Sequence, residues 1–102
     1  MRSSSTIVTD HSHLYMAQLC HHFVDGAVAV LRDREGRIAF EAGEVYLRSS
    51  PVTLMILAQA PEPEALSVLE QTVEDQLRRL AEREPDLDVE WRRAPQPVDA
   101  RP

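Results

Sequence analysis

Four short runs of apolar and β-branched residues follow one another between positions 27 and 59, and the connections between them leave little choice of sheet. Ala27-Val28-Ala29-Val30-Leu31 is bounded by Gly26 and by the turn Asp33-Arg34-Glu35-Gly36. Arg37-Ile38-Ala39-Phe40-Glu41 is the return strand of that hairpin. Ala42-Gly43 then leads tightly into Glu44-Val45-Tyr46-Leu47-Arg48. Ser49-Ser50-Pro51 is a turn signal, with the proline fixing φ and withholding a donor, and residues 52–59 form the fourth run. Parallel neighbours need a crossover of about a dozen residues. None is available here, so consecutive strands run antiparallel.

The fourth run is apolar on both faces. Val52, Leu54, Ile56 and Ala58 share one side, and Met55 and Leu57 the other. One side is expected to be covered by helices. With Tyr46 and Leu31 nearby, the other fits a ligand groove, a dimer interface, or a face shielded by long arginine stems.

Helical patterns flank these strands. Thr9 or Asp10 can cap a helix running to about Val24, with Gly26 as the stop. At about 100° per residue, Met16, Leu19, Cys20 and Phe23 fall on one face, which is the core stripe. Cys20 therefore reads as a small buried hydrophobe. His11, Tyr15, Gln18 and His22 make a second, polar stripe beside it, and His21 points away from both. Two ligands on one helix can share a metal when they stand three or four residues apart, and no pair among His11, His13, Cys20, His21 and His22 has that spacing. A metal or haem site through His22 would have to draw ligands from elsewhere, a second copy of the chain being one source.

Pro61-Glu62-Pro63-Glu64 opens the second helix, because proline is tolerated in the first turn and acidic side chains suit the positive end of the dipole. Leu66, Leu69, Val73, Leu77 and Leu80 form its apolar stripe, with Glu74/Arg78 and Asp75/Arg79 as ion pairs outside and Pro85 ending it. Leu87, Val89 and Trp91 alternate with charged residues, which predicts a final strand with the tryptophan on the buried face. The expected architecture is a two-layer α+β domain: an antiparallel sheet of four to five strands, two helices on one face, in the order α-β-β-β-β-α-β. Residues 1–6 read as a disordered head, 7–93 as the single domain and 94–102 as a disordered tail.

Composition narrows the function. Seventeen carboxylates stand against 11 basic residues, all arginine, for a net charge of −6. A broad basic surface for nucleic acid is thereby disfavoured, since phosphate neutralisation supplies most of that affinity. Local pairs such as Arg78-Arg79 and Arg92-Arg93 read as solvated surface charge. The longest nearly apolar run, 52–58, is far short of the roughly 20 residues that a membrane helix needs. A lone cysteine and the want of a basic-then-apolar leader after Met1 set the expectation of a cytoplasmic protein. There is no phosphate loop, CxxC or HExxH spacing, or nucleophile elbow, and an enzyme acting alone is disfavoured.

Leu19-Cys20-x-His22-Phe23, Gly36-x-Ile38-x-Phe40 with Gly43 just after, the acidic helix start before Ala65-Leu66, and Val89-x-Trp91-x-Arg93 together resemble the uncharacterised bacterial family called domain of unknown function 2218. The resemblance runs from about Thr6 to Arg93, and its specificity lies in the order and spacing of short motifs. It implies small stand-alone proteins or appendages of siderophore-interacting ferric reductases, hence an accessory or binding module in siderophore or iron handling whose partner is such a reductase or a second copy of the chain. It also implies a histidine on the last long helix, just before an apolar residue. The matching place here is Gln76, followed by Leu77, so iron or haem held between two histidines would lack one ligand. Candidate site residues are accordingly His22, Cys20, His21, Tyr15, Gln18, Gln76 and Trp91. The rival readings are metal or haem binding through His22 across a dimer, and a structural or regulatory interaction module.

Overall fold

A period of two governs the sheet. In a computed structural model that describes residues 1–22, 28–82, 84 and 87–94, the strand Thr53–Gln59 buries Leu54, Ile56 and Ala58 and turns Thr53, Met55, Leu57 and Gln59 the other way. Among the described residues the elements are β1 (Arg2–Val8), α1 (Ser12–His22), β2 (Val28–Arg32), β3 (Glu35–Ala39), β4 (Glu44–Ser49), β5 (Thr53–Gln59), α2 (Pro63–Leu80) and β6 (Arg92–Ala94). The strands form one open antiparallel sheet in the order β2-β3-β4-β5-β1-β6. Both helices lie on one side of it. Met16, Leu19 and Cys20 of α1 and Leu66, Leu69, Val73 and Leu77 of α2 share a single core with Ile7, Ile38, Val45, Leu47, Leu54 and Ile56. Each large apolar side chain so buried contributes on the order of 2 kcal/mol relative to exposure.

The antiparallel α+β class is as expected, but the sheet has six strands and the order is β-α-β-β-β-β-α-β. The added strand comes from the segment expected as a frayed head. Arg2-Ser3-Ser4-Ser5-Thr6 has no apolar pattern, yet β1 pairs with β5 along all seven of its residues and with β6 on its other edge. Its alternation is between small and exposed side chains. Ser3 and Ser5 face the helix layer at 1% and 3% exposure, and α2 packs over them. Ladder pairing on both sides and small buried side chains override the polar composition. The Met1 ammonium extends the pairing by donating to the Ala60 carbonyl at 2.7 Å.

The last strand also differs. Leu87, Val89 and Trp91 pack against the core, but β6 starts only at Arg92 and pairs with β1 through three residues. Arg93 fixes it on the helix side, donating to both oxygens of Glu70 at 3.0 and 3.2 Å and to Ser67 at 2.7 Å. Ala94 belongs to β6, and the rest of the expected tail, residues 95–102, lies outside the described residues. So do Phe23 and Val24, the expected end of α1, and its stop at Gly26.

Thr9 does not cap α1 directly. Its Oγ accepts the His11 amide at 3.1 Å, one residue before the helix begins. Pro63 occupies the first turn of α2 as expected, and the Leu66 amide donates to the Glu62 carbonyl at 3.0 Å. Of the two expected ion pairs, Glu74 and Arg78 meet at 3.1 Å, whereas Asp75 accepts from Gln71. Gly43 turns β3 into β4 where a Cβ would lie 2.2 Å from the Gln59 carbonyl, and Gly36 lies where a Cβ would stand 2.8 Å from the Cys20 sulfur.

Candidate functional site: an open sheet face and a polar clasp

Covering one face of a six-stranded sheet leaves the other to solvent or to a partner. On that outer face the ladder aligns Thr6, Met55, Arg48 and Glu35 in one row, and Ser4, Leu57, Tyr46 and Arg37 in the next. Between these rows runs a groove of 370 Å³, floored by Ser4, Thr6, Tyr46, Met55 and Leu57. Met55 is 50% exposed there, and Val8 and Val30 add apolar surface on the same face.

One wall of the groove is held by a small polar network. The Tyr46 hydroxyl donates to Glu44, whose second oxygen takes Arg37 Nη2 at 2.5 Å, while the guanidinium carbon lies 5.8 Å from the Tyr46 ring centre. Donating to Glu44 raises the Tyr46 phenol, and accepting from Tyr46 and then from Arg37 lowers the Glu44 carboxyl. Tyr46 is therefore a neutral donor and Glu44 an anion at ordinary pH. The arrangement can hold a small, partly apolar molecule or another protein surface.

A second polar site ties the two ends of the helix layer together. Glu84 takes the Tyr15 hydroxyl and, at 3.0 Å each, the Thr9 hydroxyl and His11 Nδ1. Burial, then the bond to Glu84, pushes the Tyr15 phenol up to about 12, and that bond in turn is the main cause of a lowered Glu84 carboxyl. Gln18 shares this cleft of 330 Å³ with Tyr15, Leu14 and Leu80.

The structure brings together some of the candidate residues. Tyr15 and Gln18 meet in the clasp cleft, but Tyr15 is buried and engaged with Glu84. Cys20 is 5% exposed against Gly36, and burial pushes its thiol up. His21 and His22 are exposed at the end of α1, and Gln76 is half-buried on α2. Trp91 donates its indole N–H to Glu74 at 3.0 Å. Among the described residues no three His, Cys, Asp or Glu side chains are placed to hold a metal, and no helix is long and apolar enough to cross a membrane. Glu84 was missed because a lone carboxylate before a proline has no signature. The groove had one signal, the two-sided apolar run 52–59.

The sequence pattern of the family described as "Uncharacterized protein conserved in bacteria (DUF2218)" matches residues 4–92. The chain belongs to this family. Its fold is similar to the NMR structure of PA4090 from Pseudomonas aeruginosa, with a TM-score of 0.76 and 26% identity, over 89% of this chain and 94% of that one. No curated protein matches the sequence. Membership in DUF2218 brings the open sheet into focus, because the family description assigns no activity and the outer face leaves Val8, Val30 and Met55 exposed around a groove.

Proposed function

We propose that the chain is a non-enzymatic binding module, working in the cytoplasm as an accessory to siderophore or iron handling, and that the outer face of its sheet is the surface that binds. The observation carrying this reading is the groove of 370 Å³, floored by Tyr46, Met55 and Leu57 and left uncovered by either helix. Its size is within the range of small-molecule sites, and its mix of apolar floor and a few fixed polar groups is typical of them. The link to iron is supported by the family resemblance, which associates such chains with siderophore-interacting ferric reductases. A non-enzymatic role is supported by where the chemistry-bearing side chains lie: Cys20 is buried, and Tyr15 is taken up by Glu84.

The test is an equilibrium titration of the purified chain with a ferric tris-catecholate and a ferric tris-hydroxamate siderophore. Saturable binding of one of them by the wild type, lost in Leu57→Asp and kept in His22→Ala, supports the reading. Binding that survives Leu57→Asp but is lost in His22→Ala moves the site to the end of α1 and overturns it.

A further inference from the structure

We infer that the outer sheet face receives a second copy of this chain, packed face to face about a two-fold axis parallel to the central strands, so that the two grooves close over one another. This rests on the reading that the outer face is the binding surface, and it names what covers it.

The argument is one of charge arranged across an apolar strip. The middle of the face, from Tyr46 through Leu57 and Met55 to Ser4 and Thr6, carries no charge. At the end of the Thr6–Arg48 row its two margins differ in sign. On the β2–β4 side Arg37 is satisfied by Glu44, which leaves Arg32 and Arg48 against Glu35, and Arg48 makes no ion pair among the described residues. On the β6 side Asp88 and Glu90 stand beside Ser4 and Thr6, with Arg92 3.7 Å from Glu90, while the other basic residue of that margin, Arg2, lies at the opposite end of β1 across from Ala94.

A two-fold axis along the strands carries each positive margin onto the partner's negative one. It keeps the rows in line, so the Thr6–Met55–Arg48 row of one copy faces the same row of the other, with Glu90 beyond Thr6 meeting Arg48. Such an isologous contact needs a self-complementary surface. Elsewhere the chain repels its own kind, because its net charge of −6 is concentrated away from this nearly balanced face. Contact at the charged margins leaves the concave middle of each sheet facing its counterpart, turning two open grooves into one sheltered space.

Sedimentation equilibrium of the full chain, from micromolar to millimolar concentration, tests the inference. The expected result is a monomer–dimer equilibrium that weakens with added salt. Arg48→Glu and Glu90→Arg should each weaken the dimer by about tenfold or more. The double variant Arg48→Glu/Glu90→Arg, which restores opposite signs across the two-fold, should return to within about threefold of wild type. A monomer at every concentration overturns the inference, as does a dimer indifferent to both single changes. The two readings separate cleanly: siderophore binding by a strictly monomeric chain removes the dimer and keeps the binding face, whereas a charge-swappable dimer that binds no siderophore keeps the interface and removes the link to iron.

Discussion

The Tyr15 hydroxyl donates to the Glu84 carboxylate across 69 residues of sequence, joining the first helix to the segment that leaves the second. Because the acceptor is ionised and the donor buried, Tyr15→Phe should cost roughly 1–3 kcal/mol in urea unfolding at neutral pH. The cost should shrink at both ends of the pH scale. Glu84 titrates below its ordinary value of 4.5, so its contribution is present above that value and is lost as pH falls through the lowered one. Tyr15 titrates at about 12 instead of 10.0, so its share is complete below 10.0 and is lost as pH rises towards 12. A Tyr15→Phe penalty that stays constant from acid to alkaline pH would show that the bond does not set the stability.

Gly36 and Cys20 should be energetically coupled. A Cβ at position 36 would stand 2.8 Å from the Cys20 sulfur, so Gly36→Ala should destabilise by about 1–3 kcal/mol through overpacking. Cys20→Ala should cost less in the Gly36→Ala background than in the wild type, a coupling that a double-mutant cycle measures directly. In the native wild type the Cys20 thiol should react slowly with a disulfide reagent, being both buried and raised in pKa.

Removing residues 1–8 should abolish cooperative unfolding. That segment is an interior strand between β5 and β6, and its loss leaves the facing edges of both neighbours unpaired and takes the buried Ile7 out of the core. A truncated chain with a sharp thermal transition and native near-ultraviolet dichroism would contradict this.

Trp91 reports on the return of the chain to α2. Glu74→Ala removes the acceptor of its indole N–H, and should shift tryptophan emission to the red and cost about 1 kcal/mol, whereas Glu74→Gln keeps an acceptor and should stay near wild type. Fluorescence and chemical denaturation of the two variants check both halves of the expectation.

Much of the fold was legible in the sequence because local signals agreed. The tight links at 33–36, 42–43 and 49–51 forced neighbouring strands to run antiparallel, and the Leu66–Leu69–Val73–Leu77 stripe placed α2 on the sheet. What escaped was decided by tertiary pairing. Ser3 and Ser5 are buried by partners far along the chain, so no local hydrophobic period marks β1. The Leu87–Val89–Trp91 alternation is a packing pattern, not a ladder, because the pairing edge of β1 meets the chain only from Arg92 onward. The candidate site was legible in one half. The two-sided run 52–59 pointed to the outer face, but the convergence of Thr9, His11 and Tyr15 on Glu84 needed the fold to bring distant residues together.

The central claim, that the outer sheet face is the surface that binds, is tested most directly by amide-resolved NMR with a ferric siderophore and its diamagnetic gallium analogue. The paramagnetic iron should broaden the amides of Ser4, Thr6, Tyr46, Met55 and Leu57 while those of α2 stay sharp. Broadening centred on His21 and His22, or on the Tyr15–Gln18 cleft with the outer face unaffected, would contradict the account.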